Sequence, residues 1–235
     1  MIKVIILAGG LGTRISEETT DKPKPMVLLD DKPILWHIMS IFAKQGHTDF
    51  IIAAGYKVEV ISDWALTLET EWNIQTINTG LDTQTGGRIK QCMELFPRER
   101  MLATYGDGVG NINIRNLIAF HESHGKLATL TAVHPPARFG YLDIANGLVR
   151  KFGEKNQSDA GWINGGFFVV EPEVSSLVKS HDEPFETGAL PRLVSGGNLM
   201  SFHHDGFWQP MDTLREKEDL SKLARLSTPP WLNGI

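Results

Sequence analysis

The chain has 235 residues, of which 41% are hydrophobic and 22% charged, a composition typical of one globular domain with a sizeable core. Its formal net charge of -5 argues against nucleic acid or an anionic membrane surface as the main partner, because either would favour a basic face. Cys92 is the single cysteine, which excludes an intrachain disulfide, and no apolar stretch approaches the roughly 20 residues that span a bilayer, so we expect a soluble cytoplasmic protein.

Strand and helix patterns alternate through the first half of the chain. An apolar run predicts a first strand over residues 2–8, and Pro33 precedes a helical pattern that ends near Gly46. Further along, the pattern predicts a strand over 49–54, a helix over 58–68, a weaker strand over 72–78, a helix from Gly86 through Phe96 and a strand over 101–105. This alternation is typical of an α/β fold with a mostly parallel, Rossmann-like sheet flanked by helices. Ligands of such sheets lie beyond the carboxyl ends of the strands.

The second half is richer in strands. Strands are predicted over residues 128–134, 141–144, 148–152 and 162–170, and helices near 173–179 and over 214–226. Such a smaller, mixed half can form the floor beneath a second ligand that lies beside the first.

The first predicted strand stops at a glycine-rich loop that carries cations. Residues 9–12 contain three glycines, and Arg14, Lys22 and Lys24 follow. Glycine lets backbone N–H groups approach a polyphosphate closely, while the cations neutralise its charge. Neither a dinucleotide fingerprint, which requires glycine or alanine at Ile15, nor a P-loop, which ends in lysine and a hydroxyl, is complete. From the glycines alone, a turn without a ligand is an equal alternative, and the cations favour phosphate.

Motifs along nearly the whole chain resemble those of the sugar-phosphate nucleotidyltransferases. The resemblance begins with Leu-Ala-Gly-Gly-Leu-Gly-Thr-Arg at residues 7–14 and Lys-Pro-Lys-Pro-Met at 22–26, and it continues through 33–39, 85–88, 105–109, 139–140, 163–168 and 206–213. Within that family the chain is most similar to the glucose-1-phosphate cytidylyltransferases. This implies one nucleotidyltransferase domain over residues 1–235, with a nucleotide-binding half at 1–110 and a sugar-phosphate-binding half at 111–235.

The resemblance implies nucleotidyl transfer from CTP to α-D-glucose 1-phosphate, with release of pyrophosphate. The attacking phosphate monoester has a second pKa of about 6, so it is mostly a dianion at neutral pH and needs no general base. The site must instead align two anions and cancel their charge. The resemblance assigns Arg14 and Lys24 as catalytic residues, and Asp107 and Asp212 as ligands of Mg²⁺. Taken singly, each aspartate is more typical of a turn.

Two further groups of residues match the substrate contacts of that family. The nucleotide-binding group comprises Leu7, Ala8, Gly9, Gly10, Gly12, Thr13, Thr85, Gly86, Arg88 and Gly106. The sugar-phosphate-binding group comprises Glu154, Lys155 and Asn164. In this interpretation, backbone groups near Thr85 read the edge of cytosine and Arg88 adds a donor, although Thr85 also suits the N-cap of a helix.

Alternatives remain for the substrate and for the reaction. Residues 69–84 form a shorter segment than in the cytidylyltransferases. The choice of base and the oligomeric state therefore stay open, and a homo-oligomer is one candidate. The same reaction with another base, another sugar or a phosphorylated alcohol is one alternative, and a catalytically silent nucleotide-sugar sensor is another. A nicotinamide-binding oxidoreductase is disfavoured by the incomplete glycine fingerprint. We expect small-molecule substrates and neither a nucleic acid nor a membrane as partner.

Overall fold

The computed structural model describes residues 1–136, 140–154 and 161–235. Its strands are β1 (Val4–Ala8), β2 (Leu28–Leu29), β3 (Lys32–Pro33), β4 (Asp49–Ala54), β5 (Asn73–Asn78), β6 (Met101–Tyr105), β7 (Gly108–Gly110), β8 (Ala128–Val133), β9 (Gly140–Ala145), β10 (Leu148–Glu154), β11 (Ile163–Val170), β12 (Leu199–His204) and β13 (Trp208–Pro210). Its helices are α1 (Ser16–Thr19), α2 (Ile34–Ala43), α3 (Val58–Leu66), α4 (Thr85–Glu94), α5 (Ile114–His124), α6 (Val174–Leu177), α7 (Ala189–Ser195) and α8 (Leu214–Ala224).

Within these ranges, a seven-stranded mixed sheet forms the centre of the fold, in the order β12-β8-β11-β6-β1-β4-β5. β1 pairs in parallel with β4 and β6, β4 pairs in parallel with β5, and β12 with β8. β11 is antiparallel to both of its neighbours, β6 and β8. The predicted fold class, a mostly parallel sheet flanked by helices, is confirmed.

Helices cover both faces of the sheet, and the alternation of side chains along β1 shows how. Val4 and Ile6 belong to an apolar cluster that includes most of α2, whereas Ile5 and Leu7 belong to a second cluster that includes residues of α4, α6 and α7. All five residues of β1 are buried. Full burial of an isoleucine side chain stabilises the fold by about 1.5–3 kcal/mol, so this strand is a main anchor for the loop that follows it.

The other predicted elements agree with the structure to different degrees. The strands and helices of the first half lie within a few residues of their predicted bounds. The predicted helix near 173–179 is shorter, because only Val174–Leu177 is helical. The helices α5 and α7, the strand β12 and several elements of two to four residues were not predicted. Among the described residues, no helix is long and apolar enough to cross a membrane.

Candidate active site

A cleft of about 530 Å³ lies at the carboxyl ends of β1 and β6, where ligands of such sheets are expected. It is lined by residues from the glycine loop, from the start of α4 and from the turns that hold the two aspartates: Leu7, Ala8, Gly9, Gly10, Leu11, Gly12, Thr13, Lys24, Pro25, Leu81, Thr83, Gln84, Thr85, Arg88, Tyr105, Gly106, Asp107 and Asp212. The fold therefore brings together Lys24, both predicted metal ligands and every predicted nucleotide-binding residue except Gly86.

The glycine loop has its shape for reasons that differ from one glycine to the next. Gly12 adopts a positive φ of 67°, and a Cβ there would lie 2.8 Å from Thr19 Cγ2 and 3.0 Å from Lys24 Cβ. Both the backbone conformation and the packing therefore require glycine at this position. A Cβ at Gly10 would meet nothing within 4 Å, so the missing side chain leaves open space above the loop.

Arg88 lies beneath the glycine loop and is only 4% exposed. Its terminal nitrogens donate to the hydroxyl of Thr79. They also donate, at 2.9–3.4 Å, to four backbone carbonyls, which belong to Gly9, Ala54, Gly80 and Leu81. Among the described side chains no carboxylate pairs with the guanidinium, and burial lowers the pKa of Arg88. The structure thus uses both terminal nitrogens of Arg88 to hold the protein backbone, and a donor role toward the base stays a prediction.

Glycine at position 9 makes room for this arginine. A Cβ on Gly9 would overlap the guanidinium of Arg88, and a Cβ on Gly55 would lie 2.7 Å from both Arg88 Nη1 and the Gly80 carbonyl oxygen. The missing side chains let the guanidinium reach the carbonyls that it binds. Gly9 therefore serves the packing of the loop, whatever it does for a ligand.

The two glycines at the start of α4 also pack against protein. The N-cap of this helix is Gln84, so the interpretation of Thr85 as N-cap is wrong. Gly86 N–H donates to the Glu183 carbonyl at 3.1 Å, and a Cβ on Gly86 would lie 2.6 Å from that oxygen. A Cβ on Gly87 would overlap the His181 carbonyl. Gly86 is not among the residues that line the cleft, and its N–H is used inside the protein, so its nucleotide contact stays a prediction.

Lys24 lies between the two predicted metal ligands. Its Nζ donates to Asp107 Oδ2 at 2.7 Å and to Asp212 Oδ1 at 2.8 Å. Burial by itself would lower the pKa of Lys24, but attraction to Asp107 and the hydrogen bonds to both carboxylates outweigh it, and the pKa is raised. The two carboxylates thus converge on one positive charge.

Strand pairing and a helix cap bring these aspartates together from distant parts of the chain. Asp107 follows β6, and Asp212 follows β13, which is antiparallel to β7. Met211 N–H donates to the Asp107 carbonyl at 2.7 Å, which joins the two turns directly. Behind Asp212, Thr213 and Glu216 form a capping box at the start of α8, and Glu216 also accepts the Asp212 N–H at 2.8 Å.

The donor set suits Mg²⁺ better than a metal held by protein ligands alone. Among the described residues, no group of three or more His, Cys, Asp or Glu side chains could hold a metal ion. Mg²⁺ is usually bound through one or two carboxylates, while water and substrate phosphates complete its shell. Two carboxylates that already surround one cation beside a polyphosphate-sized cleft fit that description.

Comparison with known proteins identifies the family. A sequence model of the nucleotidyl transferase family matches residues 3–215. The chain belongs to the nucleotidyl transferase family. It is 46% identical to glucose-1-phosphate cytidylyltransferase of Salmonella typhimurium, with 98% of each protein covered, and 39% identical to the probable glucose-1-phosphate cytidylyltransferase of Bacillus subtilis, with 98% of this chain and 99% of that protein covered.

A solved structure agrees with this assignment. HddC from Yersinia pseudotuberculosis superposes with a TM-score of 0.77 at 25% identity, over 94% of this chain and 99% of HddC. The predicted family and enzyme class are therefore confirmed, and nucleotidyltransferases of this family generally use a divalent metal. The match to the Salmonella typhimurium relative spans 253 positions, more than the 235 residues of this chain, so that relative has residues where this nucleotidyl transferase has none.

Of the three residues predicted to bind the sugar phosphate, the structure describes the side-chain contacts of Asn164. Asn164 donates through Nδ2 to the hydroxyl of Tyr105 at 3.1 Å, and its Oδ1 accepts the Gly166 N–H at 2.9 Å. Asn164 therefore lies directly behind a residue of the cleft wall. Glu154 ends β10, but its side chain and that of Arg14 lie outside the described part of the structure, as does the whole of Lys155.

Sequence reasoning missed several residues of this nucleotidyl transferase site. Leu81, Thr83 and Gln84 line the cleft just before the predicted Thr85, and their position next to that motif was the available signal. Glu186 accepts hydrogen bonds from the hydroxyls of Thr85 and Tyr105, and burial together with Glu186 raises the pKa of Tyr105. Nothing local in the sequence marks Glu186, because its partners lie far away along the chain.

Proposed function

We propose that the chain transfers the cytidylyl group of CTP to α-D-glucose 1-phosphate, forming CDP-glucose and pyrophosphate. The observation that carries the proposal is the placement of Lys24 between Asp107 and Asp212 at a cleft lined by the glycine loop. The two cytidylyltransferase relatives, similar over nearly their whole length, support CTP and glucose 1-phosphate as the substrates.

In the proposed reaction, a phosphate oxygen of the sugar phosphate attacks the α-phosphorus of CTP. One P–O bond forms, the bond to the bridging oxygen of the β-phosphate breaks, and its electron pair leaves with pyrophosphate. Because the attacking group is already a dianion, no protein group has to remove a proton. The protein contributes alignment and neutralisation of charge.

The residues around the cleft suit these tasks. Residues 9–13 line the space where a triphosphate fits, and the open position above Gly10 admits it. In this proposal Lys24 orients the α-phosphate, and Arg14 neutralises the leaving pyrophosphate. Asp107 and Asp212 hold Mg²⁺, which, when bound, supplies positive charge to the phosphate oxygens.

The sugar phosphate binds on the other side of Tyr105 in this proposal. Asn164 and Glu154 contact sugar hydroxyls, and Lys155 pairs with the phosphate. The position of Asn164 directly behind Tyr105 supports this side of the cleft for the sugar. We further propose a cytoplasmic location, because a chain with one cysteine, Cys92, uses no intrachain disulfide for its stability.

Pyrophosphate release with Mg²⁺ tests the proposal across four nucleoside triphosphates and several sugar 1-phosphates. We expect the highest kcat/KM with CTP and glucose 1-phosphate. Background rates for every pair would contradict transfer to a sugar 1-phosphate, and a higher kcat/KM with UTP or dTTP would contradict the choice of base.

The metal site has its own test. We expect Asp107→Asn and Asp212→Asn each to lower kcat/KM at least about 100-fold, because a bound metal supplies several kcal/mol of transition-state stabilisation. Asp63→Asn is the matched control, since Asp63 is exposed on α3. Normal turnover by either site variant would contradict the assignment of the metal ligands.

A further inference from the structure

A chain of hydrogen bonds runs along the wall of the cleft from its nucleotide side to its sugar side. Thr85 donates through its hydroxyl to Glu186 Oε2 at 2.7 Å. The other carboxylate oxygen, Oε1, accepts the hydroxyl proton of Tyr105, and Asn164 Nδ2 donates to that hydroxyl oxygen at 3.1 Å. Thr85 and Tyr105 both line the cleft. Glu186 thus joins two parts of the wall that come from different elements.

The directions of these hydrogen bonds require a carboxylate, rather than an amide, at position 186. Phe185 N–H donates to the Thr85 hydroxyl oxygen at 2.8 Å, and Asn164 donates to the Tyr105 hydroxyl oxygen. Each hydroxyl therefore accepts one bond and gives its only proton to Glu186. A carboxylate accepts at both oxygens, whereas the amide of glutamine accepts at one and donates at the other. Glutamate can therefore accept the protons of both hydroxyls at once, whereas glutamine can accept only one of them.

Both ends of this chain are held by packing. The segment 181–185 lies against the start of α4, where Gln84 N–H donates to the His181 carbonyl at 2.9 Å and the two glycines allow the close approach. At the other end, a Cβ on Gly166 would overlap the ring of Tyr105, and Phe168 meets that ring edge-on at 5.9 Å between centroids. Glu186 therefore links two well-packed groups.

We propose that Glu186 is a positioning residue that couples the nucleotide side of the cleft to its sugar-phosphate side. The inference rests on the proposed function for the identity of the two substrates. Glu186 holds Thr85 at the start of the base-side helix and Tyr105 in front of Asn164. Without the carboxylate, no single side chain accepts from both hydroxyls, so Thr85 and Tyr105 are no longer held together and the two binding sites change together. The hydrogen bonds described for Glu186 go to Thr85 and Tyr105 and not to Lys24, so we expect the chemical step to be left intact.

The first test is Glu186→Gln, with Glu94→Gln as control, since Glu94 is exposed at the other end of α4. We expect the KM for CTP and the KM for glucose 1-phosphate each to rise about 10-fold in Glu186→Gln, which is the size expected from one hydrogen bond to a charged group. The kcat stays within about 2-fold, as a positioning role predicts. A folded Glu186→Gln enzyme with both KM values unchanged, or with only kcat lowered, overturns the proposal.

A double-mutant cycle between Thr85→Val and Tyr105→Phe tests the coupling itself and does not depend on the folding of Glu186→Gln. Because the two hydroxyls share one carboxylate, we expect their effects on KM to be non-additive when Glu186 is present and additive in Glu186→Gln. Additive effects in the presence of Glu186 overturn the proposal. If the wild type turns over no substrate pair, the proposed function fails. The inference is then tested separately by calorimetry: the same set of variants is compared by the Kd for the triphosphate that binds most tightly in the presence of Mg²⁺.

Discussion

Replacing Arg88 with methionine is expected to destabilise the fold strongly, because it removes a buried donor that serves five oxygen atoms. Methionine has a similar length but no donor, so four carbonyls and one hydroxyl lose a partner at a site that is 4% exposed. A hydrogen bond to a charged group contributes about 1.5–3 kcal/mol, and several such bonds are lost together here. Burial of the guanidinium is itself unfavourable, as its lowered pKa shows, and the substitution removes this cost as well. We therefore expect the free energy of unfolding to fall by about 3 kcal/mol.

Urea unfolding followed by circular dichroism measures this loss. In a thermal unfolding experiment, a loss of 3 kcal/mol in a chain of this size corresponds to a Tm lower by about 6–12 °C. Arg98→Met is the matched control, because Arg98 is exposed, and it should change the free energy of unfolding by less than about 0.5 kcal/mol. A loss below about 1 kcal/mol for Arg88→Met, with an unchanged m-value, would refute the assignment of Arg88 as the support of the loop.

Three further predictions follow from packing and titration. Gly9→Ala should lower the free energy of unfolding by about 1–3 kcal/mol, because the new methyl group overlaps Arg88, whereas Gly10→Ala, in open space, should not. In the presence of a chelator, the raised pKa of Lys24 means that its ion pairs stabilise the fold below its unfolded pKa of 10.5 and are lost as the pH rises through the folded value. Wild type should therefore lose stability relative to Lys24→Met above pH 10.5, and parallel pH profiles would contradict this. Burial raises the pKa of Cys92 to about 12, so a thiol reagent at about pH 8 should label it only after unfolding, and rapid labelling of the folded protein would contradict its burial.

The fold was predictable wherever an apolar run is continuous and bounded by turns. β1, β4 and β6 are buried on both faces, and their sequences contain almost no polar residue to confuse the assignment. β12 escaped prediction because it lies at the edge of the sheet, is only half-buried and ends in two histidines. α7 escaped because it is short and contains Pro191.

The residues that meet at the cleft could be predicted from the sequence better than the contacts that they make there. Family resemblance drew attention to Lys24, Asp107 and Asp212, and the structure brings them within hydrogen-bond distance. Glycines are ambiguous in a sequence, because one that admits a ligand looks the same as one that admits a protein atom. Gly9 makes room for Arg88, 79 positions further along, and only the folded chain reveals that partner.

The contact between the start of α4 and the segment 181–185 has a consequence for the exchange of parts between related enzymes. Residues 84–87 form one half of a close-packed joint, and the backbone around His181 and Glu183 forms the other. A chimera that receives residues 84–87 from a relative with a different base preference will have a packing mismatch at the backbone around His181 and Glu183. Residues 84–87 should therefore be exchanged together with residues 181–185, because the two pieces of chain pack closely and share backbone hydrogen bonds.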